Sequence, residues 1–197
     1  MKKISCLLAL CAAALTYCSD DSSGTNAHID SGDEISFDIP TGNSSSSSAE
    51  SSFVNEGWRE DCLAKINEYR ATENLKPLTL ASEEKQTCAD EQSAADLASN
   101  VAHGHFGDCG EFAQNSGPNF NPAWQKSATD VAEYYLKMMW EDEKAKVTSG
   151  ERDPNKSEDY PYIGHYLNMK NTGYTKVACG IALSSDGKKG WFNVDFF

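Results

Sequence analysis

Positive charge is scarce in this chain, and its scarcity excludes some classes of function. The 197 residues contain 17 Lys and Arg against 30 Asp and Glu, for a net charge of −13. Between Ser19 and Glu56 there are eight acidic residues and no Lys or Arg, and residues 57–197 carry 15 basic against 22 acidic side chains. Because nucleic-acid binding depends on clustered Lys and Arg, we expect no nucleic-acid partner. Cations and neutral ligands fit this charge better.

The apolar stretch at the start of the chain is short. Ile4 to Leu15 follows Lys2 and Lys3, and it is shorter than the roughly 20 residues that a membrane-spanning helix needs. A positive start and a short apolar stretch are typical of an export signal, so residues 1–18 are predicted to be a signal peptide. A retained membrane anchor is the alternative.

The end of this signal resembles a bacterial lipoprotein processing site, in which a cysteine becomes the acylated first residue. The residues are Leu15-Thr16-Tyr17-Cys18, and Tyr17 stands where a small residue is usual. The following Ser19-Asp20-Asp21 is similar to the acidic starts of surface-exposed lipoproteins in some Gram-negative bacteria. We therefore expect a secreted or envelope-anchored protein, at the outer membrane or cell surface of such a bacterium. Its only membrane contact would be a lipid on Cys18.

Residues 19–55 have the composition of a disordered tether. They are acidic and include the serine run Ser44–Ser48, and such a segment buries too little apolar surface to offset the entropy lost on ordering. Residues 56–197 then form one domain of ordinary size, with a monomer as the default.

The domain has few cysteines, but their number is even. An even count in an exported chain indicates two disulfides, and four cysteines allow three pairings. We predict Cys62–Cys88, joining two early helices, and Cys109–Cys179, tying a histidine-containing loop to a strand. One or more free buried thiols are the alternative.

Apolar periodicity predicts helices first and strands later. Helical spacing marks residues 56–73, 82–99 and a third segment from 122 or 127 to 146, whereas residues 147–163 are predicted to form a long loop. Strands are predicted at 177–183 and 191–197, and both faces of the first are apolar or small. The fold class is therefore α+β, a three-layer α-β-α sandwich with a central, mainly antiparallel sheet. Four aromatic residues are expected in its core: Trp124, Trp140, Tyr134 and Tyr135.

Side chains suited to metal binding or proton transfer are concentrated in one segment, residues 102–115. It contains His103, His105, Cys109 and Glu111, and two of the chain's four histidines fall within it. Trp140-Glu141-Asp142-Glu143 and Gly164-His165-Tyr166, the latter predicted to open a strand, add three more carboxylates and an imidazole further along the chain. Imidazoles and carboxylates from separate segments are what a divalent cation or a proton-transfer site requires.

These residues resemble motifs of the CAP superfamily, which comprises cysteine-rich secretory proteins, antigen 5 and plant pathogenesis-related proteins and is also called the SCP domain family. The resemblance covers residues 58–197, with Phe112 where Asn is usual, Leu167-Asn168-Met169 in place of Thr-Gln-Val, and Lys170 where Trp is common. The matching pieces are Asn67-Glu68-Tyr69-Arg70, Leu75-Lys76-Pro77-Leu78, Cys109-Gly110-Glu111, Trp140 with Glu143, Gly164-His165-Tyr166, and Thr175 to Gly180.

The resemblance implies a central cleft lined by two histidines and two glutamates. These are His103, Glu111, Glu143 and His165, with His105 as the alternative to His103. Two neutral imidazoles can hold Zn²⁺ or another divalent ion such as Mg²⁺, and each glutamate could ligate the metal or orient a ring. A purely structural cluster of His–Glu hydrogen bonds is the alternative.

Three functions follow as hypotheses. The first is an exported, surface-tethered binding protein whose cleft takes a lipid-like, small or protein ligand. The second is a metal-dependent hydrolase with Glu111 or Glu143 as base, although neither Gly-x-Ser-x-Gly nor His-Glu-x-x-His occurs in the chain. The third is a structural or adhesive surface protein with an inactive cleft. Because the resemblance implies a family that is not generally catalytic, binding is the first expectation.

Overall fold

The computed structural model describes residues 53–197. The predicted signal peptide (1–18), its candidate lipid-attachment residue Cys18 and nearly all of the predicted tether (19–55) therefore lie outside the described residues. Across the described part of the chain, every helix is too short or too polar to traverse a bilayer.

The domain has helices on both sides of one four-stranded sheet. The strand order is β1-β3-β4-β2, with β4 antiparallel to both of its neighbours and β1 parallel to β3. The α+β class and the sandwich of helices around a mainly antiparallel sheet are confirmed. The elements are α1 Trp58–Ala71, β1 Thr79–Leu80, α2 Glu83–Ser99, β2 Ala113–Phe120, α3 Ala128–Lys137, a π-helical turn Met138–Asp142, α4 Glu143–Thr148, a 3₁₀ turn Ser157–Asp159, α5 Tyr160–Lys170, β3 Lys176–Leu183 and β4 Gly190–Phe196.

The two faces of the sheet differ in polarity. One face is apolar and contributes Val177, Cys179, Val194 and Phe196 to the hydrophobic core. The other face packs against α2, so closely that a Cβ on Gly180 would overlap the backbone of that helix. Because side chains alternate along a strand, this second face carries a different set of residues from β2 and β4. They form a buried polar layer with α2 that comprises Gln92, Ser93, Asp96, Gln114, Ser116, Asn193 and Asp195.

In the second half of the chain one local prediction is wrong and one strand was missed. Residues 160–170 form α5, where a loop end and a strand around Gly164-His165-Tyr166 were expected. Pro161 lies in the first turn, where its fixed φ favours a helix, and Ile163, Tyr166 and Met169 recur at a helical spacing and are buried. Strand β2 was not predicted at all, since Ala-Gln-Asn-Ser-Gly-Pro-Asn-Phe has little strand propensity. Its pairing with β4 makes it an edge strand, the place where a proline such as Pro118 is tolerated.

The disulfides exist, but the predicted pairing is wrong. The bonds are Cys62–Cys179 and Cys88–Cys109. Strand alternation explains the result, because Cys179 points to the apolar face that α1 and its Cys62 cover, whereas Cys88 lies on α2 across the sheet. Cys109 lies four residues before β2 and on the α2 side, where its carbonyl oxygen accepts from Lys85 of that helix, so it is within reach of Cys88 alone.

The prediction of four core aromatics is half right. Trp140 and Tyr135 are buried, as expected, while Trp124 is 79% exposed and Tyr134 is 54% exposed. Trp124 lies in the loop between β2 and α3, outside any packed face. Tyr134 lies on α3 outside the buried stripe that Val131, Ala132, Tyr135 and Leu136 form.

Candidate functional site

An open cavity of about 290 Å³ lies between the loop that precedes β2, the start of β2, and α5. Both His103 and His165 line it, although they are separated by more than 60 residues of chain. The remaining lining residues are aromatic, amide or small: Phe106, Phe112, Ala113, Gln114, Tyr160, Pro161, Gly164, Asn168 and Tyr174. The structure thus brings the two histidines to one surface, whereas neither Glu111 nor Glu143 lines it, although the resemblance implied a cleft lined by all four.

His103 is held by its backbone and by one hydrogen bond. Its φ of 60° places it in the left-handed region, which is uncommon for a residue with a side chain and typical of tight functional turns. Its ring Nδ1 lies 3.0 Å from the Oε1 of Gln114 on β2. Since an amide oxygen can only accept, Nδ1 donates, and Nε2 is left as the free nitrogen with a lone pair.

His165 is held in the same tautomer by a carboxylate. Its Nδ1 lies 2.7 Å from Oε1 of Glu143, and the Oε2 of Glu143 accepts the backbone N–H of Tyr166 at 3.0 Å. Glu143 begins α4 directly after the π-helical turn, and it is buried. A buried carboxylate that accepts from Nδ1–H again leaves Nε2 free. Glu143 therefore stands behind His165 and orients its ring.

Glu111 lies behind the cavity wall. Its Oε1 accepts the side-chain N–H of Gln92 at 2.8 Å and the backbone N–H of Gly107, and only 6% of the residue is exposed. Glu111 does not line the cavity that His103 and His165 share. Its connection to His103 runs through two glutamine side chains, Gln92 and Gln114.

His105, the alternative to His103, belongs to the framework of the same loop. Its Nδ1 and its backbone N–H both lie within hydrogen-bond distance of Oδ1 of Asp96, at 2.9 and 3.1 Å. Asp96 is fully buried on α2 and also accepts from Asn193. His105 does not line the cavity, so its imidazole serves to fasten the loop to α2.

A group of three potential ligands does occur away from the cavity. Within residues 53–197, Cys109, Glu111 and Asp195 have ligand atoms that all lie within 4.8 Å of one another. Cys109 is bonded to Cys88 and cannot supply a thiolate, so the group reduces to two carboxylates. Burial raises the pKa of Asp195 to about 7, opposed by its hydrogen bond from Gln114 and reinforced by the charges of Glu111 and Asp96.

The donors at the cavity suit Zn²⁺ better than Mg²⁺. Zinc takes imidazole nitrogens, whereas magnesium prefers oxygens. Each ring has its Nδ1 occupied by an acceptor, the arrangement usually found in zinc-bound histidines. Within the described part of the chain, the one three-membered group of His, Cys, Asp and Glu ligands contains neither histidine. A zinc ion on His103 and His165 would therefore keep open positions.

Sequence reasoning missed the residues that support the histidines. Gln92, Gln114 and Asp195 belong to no motif, and no single one of them stands out in the chain. One signal was present: Asn193 and Asp195 alternate with Val194 and Phe196 in β4. Polar residues at every second position of a strand that is buried on both sides indicate an internal hydrogen-bond network.

The comparisons with known proteins agree with this architecture. Residues 63–196 match the model of the CAP family, described as the cysteine-rich secretory protein family. The chain belongs to the CAP family. The expectation from the sequence motifs is thereby confirmed at the level of the family.

One solved structure shares the architecture at low sequence identity, and a second is less similar. The structure described as "Crystal structure of NaASP2 with Zn2+" has a TM-score of 0.52 at 12% identity, covering 73% of this chain and 80% of that one. Na-ASP-1 has a TM-score of 0.43 at 15% identity, with 71% and 38% covered. The first likeness supports the fold of this CAP domain. No curated protein sequence matches the chain.

Proposed function

We propose that this protein is an exported CAP-domain binding protein whose cavity holds Zn²⁺ on His103 and His165. One observation carries the proposal. The Nδ1 of each ring is engaged by an acceptor, Gln114 in one case and Glu143 in the other, so both rings keep Nε2 available for a metal at one cavity. When bound, zinc would supply positive charge and open coordination positions.

The rest of the cavity favours a ligand that is mostly apolar. Phe106, Phe112 and Tyr160 line it, yet they are 48%, 72% and 49% exposed. Large aromatic side chains left in solvent around a concave surface are typical of binding sites. No Lys, Arg, Asp or Glu is among the lining residues in the described chain. The proposed ligand is therefore a small or lipid-like molecule with an apolar body and one polar atom directed at the metal.

The carboxylates favour binding over hydrolysis. Both oxygens of Glu143 are engaged, one by His165 and one by the backbone of Tyr166. Glu111 lies behind the wall and does not reach the cavity. Neither of the two expected bases thus faces a position where it could take a proton from a bound water.

Export is part of the same proposal. Two disulfides in a domain of this size are typical of an oxidising compartment. The signal in residues 1–18 and the acidic tether of residues 19–55 would display the domain away from the envelope, with a lipid on Cys18 as the proposed anchor. Labelling with a radioactive fatty acid in the native host, compared with Cys18→Ala, tests the anchor separately from the cavity.

Isothermal titration of the metal-free protein with Zn²⁺ tests the metal site. We expect one zinc per chain, and loss of that binding in His103→Ala and in His165→Ala because each removes one of two protein ligands. His28→Ala is the matched control, because it removes a histidine elsewhere in the chain and should leave the stoichiometry at one. Unchanged binding in the double variant His103→Ala/His165→Ala, or no binding by the wild type, would refute the metal site.

A neutral fluorescent probe tests whether the aromatic lining of the cavity binds an apolar molecule. We expect 1-aminoanthracene to bind the wild type, and Phe112→Ala to weaken its binding because Phe112 is the most exposed aromatic at the rim. Trp124→Ala is the control, since Trp124 is similarly exposed but does not line the cavity. Equal weakening by both substitutions would contradict a specific site.

A further inference from the structure

We propose that Glu111 and Asp195 are positioning residues for His103, acting through the side-chain amides of Gln92 and Gln114. This chain of hydrogen bonds, which we call the relay, selects the Nδ1–H tautomer of His103. The effect on zinc binding rests on the proposed function, whereas the tautomer of His103 can be measured without any metal.

The first part of the relay is the orientation of Gln92. Its Nε2 donates to Oε1 of Glu111 at 2.8 Å and to the carbonyl oxygen of His105 at 2.7 Å. Both partners are acceptors, so the NH₂ group of Gln92 must face them. The opposite atom of the amide, Oε1, is thereby turned towards Gln114. Gln92 is buried on α2, where an unsatisfied amide would be costly.

The second part is the orientation of Gln114. Its Nε2 donates to Oε1 of Gln92 at 3.1 Å and to Oδ1 of Asp195 at 3.0 Å. A flipped amide would set its carbonyl oxygen against two acceptors at once, and all three side chains are buried. Gln114 is therefore held with its Oε1 towards His103. Oδ2 of Asp195 has no hydrogen-bond partner among residues 53–197. A proton on Oδ2 leaves Oδ1 an acceptor, so the relay holds in either charge state of Asp195.

The third part is the imidazole. Oε1 of Gln114 accepts from Nδ1 of His103 at 3.0 Å, which requires the proton on Nδ1 and leaves the lone pair on Nε2. The two histidines of the cavity thus reach the same tautomer by different routes. His165 contacts the carboxylate of Glu143 directly. His103 contacts a neutral amide whose direction is determined by two carboxylates further away.

The arrangement gives Glu111 a role that its position behind the cavity wall would otherwise not explain. It lies outside the cavity and contacts neither histidine ring, yet it anchors the first amide of the relay. Asp195 anchors the second amide from β4. Loss of either anchor frees an amide to rotate, and the proton of His103 is then no longer confined to one nitrogen.

Nitrogen NMR of the metal-free protein, recorded above the ordinary histidine pKa of about 6.5, tests the inference directly. We expect His103 of the wild type to be in the Nδ1–H form. Gln92→Met and Asp195→Ala should allow the Nε2–H form to appear, and zinc affinity should fall by about 10- to 100-fold, as is usual when the outer partner of a metal-ligating histidine is lost. Asp195→Asn retains an acceptor oxygen and should preserve the wild-type tautomer.

Ser93→Ala is the matched control. Ser93 is buried in the same polar layer on α2, but its hydroxyl bonds only to Ala89 of its own helix, so neither readout should change. A wild-type His103 in the Nε2–H form would overturn the inference, and this spectrum needs no variant to fold. Unchanged tautomers in folded Gln92→Met and Asp195→Ala would overturn it as well. A shifted tautomer without zinc binding by the wild type would uphold the relay and refute the metal site.

Discussion

Removing the two disulfides one at a time should affect stability and zinc binding in opposite order. Cys62–Cys179 closes 117 residues of chain, whereas Cys88–Cys109 closes 21. In the chain-entropy model a crosslink stabilises by restricting the unfolded chain, and these loops correspond to about 4.9 and about 3.3 kcal/mol at 25 °C. The double variant Cys62→Ala/Cys179→Ala should therefore be less stable than Cys88→Ala/Cys109→Ala by about 1.6 kcal/mol.

For zinc binding, the two double variants should rank in the opposite order. Cys109 ends the loop that carries His103, and its bond to Cys88 ties that loop to α2. Cys62–Cys179 joins α1 to β3 through the apolar face of the sheet, away from the cavity. We expect Cys88→Ala/Cys109→Ala to weaken zinc binding by about tenfold, similar to the loss of an outer partner of a metal ligand. The other double variant should bind zinc as the wild type does.

Urea denaturation of the metal-free proteins measures the first ranking, and isothermal titration with Zn²⁺ measures the second. The wild type treated with a reductant is the control, and its stability should fall below that of either double variant because both crosslinks are lost. The reasoning would be refuted if the 21-residue crosslink proved the more stabilising. It would also fail if one variant were the weaker in both measurements.

Two further predictions concern single residues. His103 has a φ of 60°, which costs a residue with a Cβ about 1 kcal/mol or more. The variant His103→Gly should therefore unfold at a higher urea concentration than His103→Ala, although both variants lose the imidazole ring. An alanine variant at least as stable as the glycine variant would contradict the left-handed backbone at this position. Because burial raises the pKa of Asp195 from 3.8 to about 7, its contribution to stability is fully present below pH 4 and is lost as the pH rises through about 7. Unfolding midpoints of the wild type should therefore fall over that range more steeply than those of Asp195→Asn, and parallel curves would show that Asp195 is ionised throughout.

Local patterns predicted the parts of the fold that local physics determines. Helices α1 and α2 follow from apolar residues three and four apart, and the β3–β4 hairpin follows from two strand-like runs around Asp186-Gly187. Ser127 provides the N-cap of α3, where its hydroxyl accepts the backbone N–H of Asp130. Each of these signals lies within a few residues of the structure that it specifies.

Other elements depended on partners far away in the chain. Strand β2 has no strand-like composition and exists because β4 offers it a row of backbone hydrogen bonds. The disulfide pairing followed from which face of the sheet each cysteine occupies, and four cysteines in a sequence do not reveal that. The sequence motifs named His103, Glu111, Glu143 and His165 together, but neither glutamate lines the cavity. Glu111 accepts a hydrogen bond from Gln92 of α2, and Glu143 lies behind the ring of His165.

The sequence by itself determined the family, helices α1 and α2, the β3–β4 hairpin, and the small set of histidines that includes His103 and His165, because motifs and periodicities depend only on residues that are close in the chain. Only the tertiary structure decided which nitrogen of His103 stays free. That choice depends on the direction of two buried amides, and amide directions are settled by partners on α2, β2 and β4 that no local pattern connects.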